Sequence, residues 1–388
     1  PTPTFIDSAS SGRRAAVSID RYLQGASLTA ARADEGPYTT RLFTNLEGIA
    51  SLPGIAPAGP DQAFTRSEAV AEAARCLQCE CMECVKVCPY LEHYGSYPKQ
   101  YLRQIYNNLS IVMGERQFNT QINACSLCGL CGEVCPEGLD MASVCHEARQ
   151  TMVEQGRMPP SAHDFALRDM AFSNGPTATL AQHAPGSSRS DYVLFPGCQL
   201  SASAPEHVEK LYTYLRERLP NVGLMLRCCG APADWAGRTD LFSAALAEFH
   251  AEHKRLGSPQ VIVACSTCYQ VLKTHLPDLP LRSLWTTLES VGLPEVMGPE
   301  PRPTLALHDP CTTRYEAAIQ QSARRILSAL GCVIEELPLA RERTECCSYG
   351  GLMWFANRDL AREVVQRRIA QQPQDYVTYC AMCRDLFA

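Results

Sequence analysis

Two copies of one five-cysteine pattern account for ten of the 21 cysteines in this 388-residue chain. Each copy has a single cysteine, then an adjacent pair, then a C-x-x-C motif. The first copy consists of Cys198, Cys228, Cys229, Cys265 and Cys268, and the second of Cys311, Cys346, Cys347, Cys380 and Cys383. Four thiolates complete a zinc site or an iron–sulfur cubane. Because five thiolates exceed either set, the pattern indicates a larger or unusual iron–sulfur cluster in each copy, and hence electron transfer or redox catalysis.

The adjacent cysteines support the same interpretation. A disulfide between neighbouring residues is strained, whereas on a turn both thiolates can face one multi-iron body. Glycine follows each pair, at Gly230 and at Gly350-Gly351, and allows the backbone to approach closely. Isolated buried thiolates are costly without a compensating charge, which iron supplies. A buried structural Cys-Cys pair is the alternative, and repetition of all five positions disfavours it.

Two further cysteine runs lie upstream. The later run, Cys125-x2-Cys128-x2-Cys131-x3-Cys135-Pro136, has the bacterial ferredoxin spacing, in which the last cysteine crosses to the neighbouring cluster. A zinc ribbon is disfavoured because the run does not come as two isolated C-x-x-C knuckles. The earlier run is Cys76-x2-Cys79-x4-Cys84-x3-Cys88-Pro89, with Cys81 inside it.

If the last cysteine of each run binds the cluster held by the other run, the two runs predict two [4Fe–4S] cubanes. One is held by Cys76, Cys79, Cys84 and Cys135, and the other by Cys88, Cys125, Cys128 and Cys131. Cys81 is an alternative to Cys79 or Cys76, because Cys81-x2-Cys84-x3-Cys88-Pro89 is also ferredoxin-like. Cys145 and Cys332 stand outside every pattern, and we expect both to be buried small hydrophobic residues.

Composition excludes several classes of protein. The formal charge of −6 is mild and mixed along the chain, so it predicts no nucleic-acid partner. No apolar run approaches the roughly 18–20 residues that cross a bilayer, and no signal peptide starts the chain. Cysteines in metal spacings indicate a reduced, cytoplasmic protein. The sequence lacks G-x-G-x-x-G and G-K-[ST], so we expect no nucleotide cofactor on this chain.

The pattern along the chain predicts five segments. They are an N-terminal helix and extended arm (1–62, with the helix at 12–24), a helical two-cluster ferredoxin domain (63–172), a linker rich in Gly, Pro and Ser (173–190), a first repeat (191–300) and a second repeat (301–388). Within the ferredoxin domain, Thr65 and Glu68 form a capping box for a helix over Thr65–Arg75, and further helices are predicted over 98–113 and 139–155.

Each repeat alternates strands and helices. Apolar strands are predicted to end at Cys198 and Cys311, and others to lead into the motifs at Cys265 and Cys380. This alternation predicts an α/β fold with mainly parallel sheets, preceded by the α-helical domain. The cysteines then fall at strand carboxyl ends and helix N-termini, where α/β sheets bind ligands.

The cluster runs carry a resemblance to known families. The stretch EAARCLQC…CVKVCP resembles the ferredoxin domain of the glutamate synthase small subunit and dihydropyrimidine dehydrogenase, and the later run is similar to that of the ferredoxin-type subunit of heterodisulfide reductase. GRRAAVSIDRYLQG also looks like the C-terminal helix of the glutamate synthase-type flavoprotein half. In that family the ferredoxin domain comes first, so the reversed order here suggests a longer parent with a flavin domain upstream. FAD is therefore expected on an upstream domain or a partner.

Residues 191–388 resemble the cysteine-rich CCG domains of heterodisulfide reductase. They are also similar to the iron–sulfur subunits of systems that oxidise glycerol-3-phosphate, lactate and glycolate. The resemblance implies one noncubane [4Fe–4S] cluster per repeat, held by all five thiolates. The second repeat departs from the family, since Ser348 replaces the glycine of CCG, and some family copies bind zinc, so its site is an iron–sulfur or a zinc site.

Two functions follow from these resemblances. In the first, a flavoprotein donates electrons that pass through the cubanes to the noncubane clusters, and those clusters reduce a disulfide one electron at a time, as in heterodisulfide reductase. In the second, the chain is a relay to a partner dehydrogenase, quinone-linked subunit or acyl-CoA reductase. An open cleft lined by Tyr349, Trp354 or His308 favours the enzyme, and buried clusters beside a docking face favour the relay.

Overall fold

The computed structural model describes residues 5–25, 27–29, 52–57, 64–75, 81–95, 98–135, 138–293 and 302–388. It divides into two compact units, Pro1–Cys81 and Met82–Ala388. Two predicted cluster ligands, Cys76 and Cys79, and most of the predicted arm lie outside the described residues. Among the described helices, none combines the length and the apolar character that crossing a membrane requires.

The described residues of the first unit form helices α1 (Phe5–Leu23) and α2 (Arg66–Ala74). Helix α1 begins well before the predicted 12–24 helix. The capping box that starts α2 is confirmed, since the Thr65 hydroxyl accepts a hydrogen bond from the backbone of Glu68 and the Glu68 carboxylate accepts one from the backbone of Thr65.

The second unit opens with short helices around a small core. They are α3 (Glu83–Lys86), α4 (Pro89–His93), α5 (Pro98–Ser110), α6 (Asn119–Ala124), α7 (Leu130–Val134), α8 (Met141–Glu154) and α9 (Asp164–Ser173). Asp140 caps α8 by accepting hydrogen bonds from Ala142 and Ser143. Buried side chains of Leu91, Tyr101 and Ile122 form the core of this helical part. Helices α5 and α8 lie within the predicted spans.

The first repeat is built on a five-stranded sheet with the order β1-β3-β2-β4-β5. Its strands are β1 (Leu180–Gln182), β2 (Tyr192–Phe195), β3 (Val222–Leu226), β4 (Gln260–Val263) and β5 (Leu281–Ser283). The helices are α10 (Cys198–Ser203), α11 (Pro205–Arg218), α12 (Ala231–Trp235), α13 (Thr239–Arg255), α14 (Ser266–His275) and α15 (Leu284–Val291). Strands β2 to β5 are parallel, with Val193 opposite Val261 in the centre of the sheet.

The second repeat has a three-stranded parallel sheet with the order β7-β6-β8. Its strands are β6 (Thr304–His308), β7 (Val333–Glu336) and β8 (Asp375–Thr378), and its helices are α16 (Ala317–Ala329), α17 (Met353–Ala356), α18 (Arg358–Ile369) and α19 (Ala381–Phe387). The predicted fold class, α/β with mainly parallel sheets, is confirmed.

The segment 173–190 differs from the sequence prediction. Its Gly- and Pro-rich composition favours a linker, but Leu180–Gln182 forms the edge strand β1, antiparallel to β3. Local composition does not reveal this pairing, because the hydrogen-bonding partners lie in a strand far along the chain, Val222–Leu226. The segment therefore extends the sheet of the first repeat.

Candidate iron–sulfur sites

Four of the predicted ligands start helices directly after parallel strands. Cys198 begins α10 after β2, and Cys265 caps α14 after β4. In the second repeat, Cys311 begins a 3-10 helix after β6 and Cys380 caps α19 after β8. Since β2 pairs with β4, and β6 with β8, each pair of cysteines meets at the carboxyl edge of its sheet. Helix N-termini there present N–H groups and a partial positive charge to thiolates.

The first five-cysteine set, called the first site below, forms a chain of interacting thiols. A hydrogen bond with Cys228 raises the pKa of Cys198 well above its ordinary value. Cys229 interacts with both Cys228 and Cys268, and Cys265 interacts with Cys268. All except Cys198 are buried. The structure therefore brings together the five residues that the repeat predicts as one set.

The second set, called the second site, follows the same order. A hydrogen bond with Cys346 raises the pKa of Cys311. Cys347 interacts with Cys346 and Cys383, and Cys383 interacts with Cys380. Cys311 alone of the five is partly exposed. Ser348, which replaces the glycine of CCG, donates a backbone hydrogen bond to Cys346 Sγ at 3.2 Å.

Contacts between cysteines join these sites to each other and to the later cysteine run, Cys125–Cys135, which is called the ferredoxin run below. Cys265 of the first site interacts directly with Cys380 of the second. Cys128 of the ferredoxin run interacts with Cys346 of the second site, which raises the pKa of Cys128. The second site thus lies between the ferredoxin run and the first site.

The second cysteine of each adjacent pair favours the thiolate form. Hydrogen bonds from Cys228 and Cys268 lower the pKa of Cys229 to about 6, and those from Cys346 and Cys383 lower the pKa of Cys347 to about 5, although burial opposes both shifts. A buried thiolate is costly unless a cation compensates it. This donor set therefore fits a positively charged metal cluster.

His308 provides a second test of the fit at the second site. A ring nitrogen of His308 and the Sγ atoms of Cys347 and Cys383 all lie within 4.8 Å of one another. His308 is fully buried, and its Nε2 atom has no hydrogen-bond partner among the described residues. Buried polar atoms are normally paired, so this nitrogen fits a group bound among the cysteines.

Two glycines allow the backbone to pass close to the sites. Gly197 has a φ of +82°, and a Cβ there would lie 2.9 Å from Cys268 Sγ. Gly351 has a φ of +60°, and a Cβ there would collide with the Cys125 carbonyl and the Ser126 backbone. Only glycine combines a positive φ with such a close approach to neighbouring atoms. The loop after the second cysteine pair is thereby held against the ferredoxin run.

The structure brings together the four cysteines predicted for the second cubane. Burial, then the proximity of Cys128, raises the pKa of Cys88. Cys131 lies near Cys128 and Cys88, and Cys125 near Cys131. The backbone of Met141 donates to Cys131 Sγ at 3.3 Å, as expected around a thiolate ligand.

The set predicted for the first cubane includes Cys76 and Cys79, which lie outside the described residues. The alternative in which Cys81 replaces one of them involves the same two positions. Cys145 is buried as predicted, but it also forms a side-chain hydrogen bond with Cys125. Spacing rules miss this contact, because Cys145 approaches from helix α8 and belongs to no cysteine motif.

Arg149 joins three of the cysteine-bearing segments, and the sequence patterns did not identify it. Its side chain is fully buried and donates five hydrogen bonds, all to backbone carbonyls, at 2.6 to 3.0 Å. The acceptors are Ile122 and Asn123 of helix α6, Cys125 at the start of the ferredoxin run, Trp235 after the first cysteine pair, and Gly351 after the second. The sequence does contain one sign of a buried arginine, because Arg149 lies on the apolar face of helix α8 together with Cys145, Ala148 and Met152.

A second arginine makes a related connection. Arg314, also buried, donates to the carbonyl of Cys128 at 3.1 Å and to that of Thr344 at 3.0 Å. Arg149 and Arg314 therefore hold the carbonyls of Cys125 and Cys128, the two ends of one C-x-x-C motif. Both arginines tie that motif to the repeats.

A cleft of about 800 Å³ opens beside Cys128 and Cys311. Its walls include Lys273, Arg314 and Tyr315. This is not the cleft that the disulfide-reducing hypothesis anticipated, because its lining includes none of Tyr349, Trp354 and His308.

Those three residues have other surroundings. The Tyr349 hydroxyl donates to Gln199 at 2.8 Å, and Gln199 in turn donates to Asp385. The guanidinium group of Arg358 lies 5.1 Å from the ring centre of Trp354. His308 is enclosed, with the ring of Phe387 packed edge-on at 4.8 Å.

Comparison with known proteins agrees with this geometry. Residues 75–140 match the family described as a 4Fe-4S dicluster domain, and residues 192–273 and 305–386 each match the cysteine-rich domain. The chain carries a dicluster domain and two cysteine-rich domains. It is an iron–sulfur protein with a role in electron transfer, and the resemblance predicted from the cysteine runs is confirmed. No solved structure matches the chain significantly.

The chain is similar to several curated proteins. It is 22% identical to a subunit of the dihydromethanophenazine:CoB–CoM heterodisulfide reductase of Methanosarcina barkeri, over 77% of this chain and 83% of the relative. It is 20% identical to a subunit of the fumarate reductase (CoM/CoB) of Methanothermobacter marburgensis, over 79% and 66%. It is 22% identical to the EtfAB:quinone oxidoreductase of Syntrophomonas wolfei, over 68% and 42%.

Proposed function

We propose that this chain passes electrons from a flavoprotein through two [4Fe–4S] cubanes to two noncubane [4Fe–4S] clusters and uses them to reduce a disulfide. The strongest support is the continuous series of thiol contacts from Cys128 through the second site to Cys265 of the first. Bound clusters supply one-electron transfer. The protein contributes the cysteine ligands, buries most of them, and ties the segments that carry them together through Arg149.

The proposed reaction balances as R–S–S–R′ + 2 e⁻ + 2 H⁺ → RSH + R′SH. The sulfur–sulfur bond breaks, and each sulfur gains one electron and one proton. Electrons come from the reduced flavin of the donor protein, and protons come from solvent. The similarity to part of a heterodisulfide reductase supports a disulfide as the substrate class. A cytoplasmic location is part of the same proposal, supported by the metal spacing of the cysteine runs.

The relay is the second candidate, and one observation favours it. Eight of the ten cysteines in the two sites are buried, and the cleft beside Cys128 and Cys311 offers a place for a protein partner to approach the ligands. Relatives named as part of a fumarate reductase and as a quinone oxidoreductase support a different acceptor for this chain. The two candidates differ only in the terminal step.

Metal content tests the cluster assignment. Protein purified without oxygen should contain about sixteen irons and as many sulfides if both cubanes and both noncubane clusters are present, and about eight if only the cubanes are. Zinc in place of four irons assigns the second site to zinc. Electron paramagnetic resonance then distinguishes noncubane from cubane signals.

Turnover tests the terminal step. Reduced protein is mixed with the CoB–CoM heterodisulfide or with glutathione disulfide, and free thiols are counted. Two thiols per two electrons support the enzyme. Reoxidation by a quinone or fumarate-linked partner, with no thiol released from either disulfide, supports the relay instead.

A further inference from the structure

The two repeats differ at one buried position three residues before their first cysteine. The first repeat has Phe195 there, at the end of β2, and the second has His308, at the end of β6. Both side chains are fully buried. Phe195 packs edge-on against Phe249, with ring centres 5.1 Å apart, in an apolar core. His308 instead places a polar ring beside Cys347 and Cys383.

The protonation of the His308 ring is set by Arg368. The Arg368 Nε–H donates to His308 Nδ1 at 3.2 Å. Because arginine has no acceptor atom, Nδ1 must carry the lone pair. Arg368 is itself held by Glu345 at 3.0 Å and by the Leu339 carbonyl at 2.7 Å. An imidazole ring whose Nδ1 accepts a hydrogen bond carries its proton on Nε2, so Nε2 is the donor nitrogen of His308.

The Nε2–H group has no hydrogen-bond partner among the described residues, while Nδ1 is already engaged. Nε2 is therefore the nitrogen left to face the sulfur atoms of the second site. N–H donors to cluster sulfurs favour the more negative, reduced state and raise the reduction potential. The first site has only a phenyl ring at this place.

We propose that His308 donates a hydrogen bond from Nε2 to sulfur at the second site and makes it the higher-potential site of the two. The second site also contacts the dicluster domain through Cys128 and Cys346. Electrons arriving from the cubanes would then collect at the second site before moving to the first. The inference rests on the proposed cluster occupancy of the second site.

The test replaces His308 with the residue of the first repeat. His308→Phe keeps an aromatic ring and removes the donor, so the midpoint potential of the second site, followed by electron paramagnetic resonance during a redox titration, should fall. A tenfold change in the ratio of reduced to oxidised cluster corresponds to ~59 mV for one electron. His308→Gln, whose amide N–H can occupy the place of Nε2, should bring the midpoint potential most of the way back to the wild-type value.

Phe387→Leu is the matched control, since it disturbs the packing on the His308 ring and keeps the donor; its midpoint should match the wild type. An unchanged midpoint potential in His308→Phe at full iron content overturns the inference. Loss of the second cluster from both His308 variants also overturns it, because His308 would then be a ligand or a structural residue. Wild-type protein without a second-site cluster overturns the proposed function instead.

Discussion

At the scale of single residues, Arg149 shows how a cation can support a site by binding its backbone carbonyls. All five of its N–H groups bind carbonyls, and these belong to segments far apart in the chain, from Ile122 to Gly351. Burial lowers the pKa of Arg149, yet arginine remains charged in proteins. Its positive charge lies beside Cys125, where a reduced cluster would carry negative charge.

Arg149→Lys should destabilise the protein by ~2 kcal/mol or more, because lysine has three donors and leaves at least two buried carbonyls unpaired. Chemical denaturation under anaerobic conditions measures the change. Arg157→Lys, just after the end of the same helix and bonded to the Leu109 carbonyl, is the control and should stay within about 0.5 kcal/mol of wild type. Equal stabilities for the two variants would contradict the role given to Arg149.

At the scale of elements, the loop after the second cysteine pair is held against the ferredoxin run by glycine. Gly351→Ala should lose stability for two reasons, the left-handed backbone and the collision with Cys125 and Ser126. Gly257→Ala is the matched control, since Gly257 has a φ of +81° but nothing within 4 Å of the added Cβ. We expect the control to lose about 1 kcal/mol and Gly351→Ala clearly more in the same urea titration.

Helices α8 and α12 are linked by a pH-dependent contact. His146 Nε2 lies 3.2 Å from an Asp234 carboxylate oxygen and 2.8 Å from the Asp234 carbonyl. The hydrogen bond to Asp234 raises the pKa of His146 above 6.5. A raised pKa means that this stabilisation is complete below about pH 6.5 and is lost as the pH rises through the higher value in the folded protein.

His146→Gln should therefore remove part of the fall in stability above about pH 6.5, an effect below about 1 kcal/mol for a partly exposed pair. Thermal unfolding at several pH values measures it. A pH profile of His146→Gln that is unchanged from wild type would refute the linkage.

At the scale of the whole molecule, the two cysteine-rich domains and the dicluster domain form a series in which the second site is central. Cys311→Ser should reduce the iron content by about four atoms per chain while the cubanes remain. Cys332→Ser, which changes a cysteine outside every motif, should leave the iron content unchanged. Equal iron in both variants would show that Cys311 holds no cluster.

The sequence predicted the parts of this fold that depend on local patterns. The capping box at Thr65 and the strands before Cys265 and Cys380 follow from patterns among neighbouring residues. The parallel sheets follow from the alternation of strands and helices in each repeat. Strand β1 and Arg149 did not follow, because their partners lie far away in sequence. The contact between Cys265 and Cys380 was equally invisible, since it arises only when the two sheets pack.

The convergence of carbonyls on Arg149 has a consequence for kinetics. Because one rigid, planar cation binds backbone atoms from the dicluster domain and both cysteine-rich domains, the spacing of the three regions is fixed once the chain has folded. Passage of charge between them would need no swinging arm or hinge. Added glycerol or sucrose should therefore slow the encounter with an external donor while leaving the internal steps at their original speed.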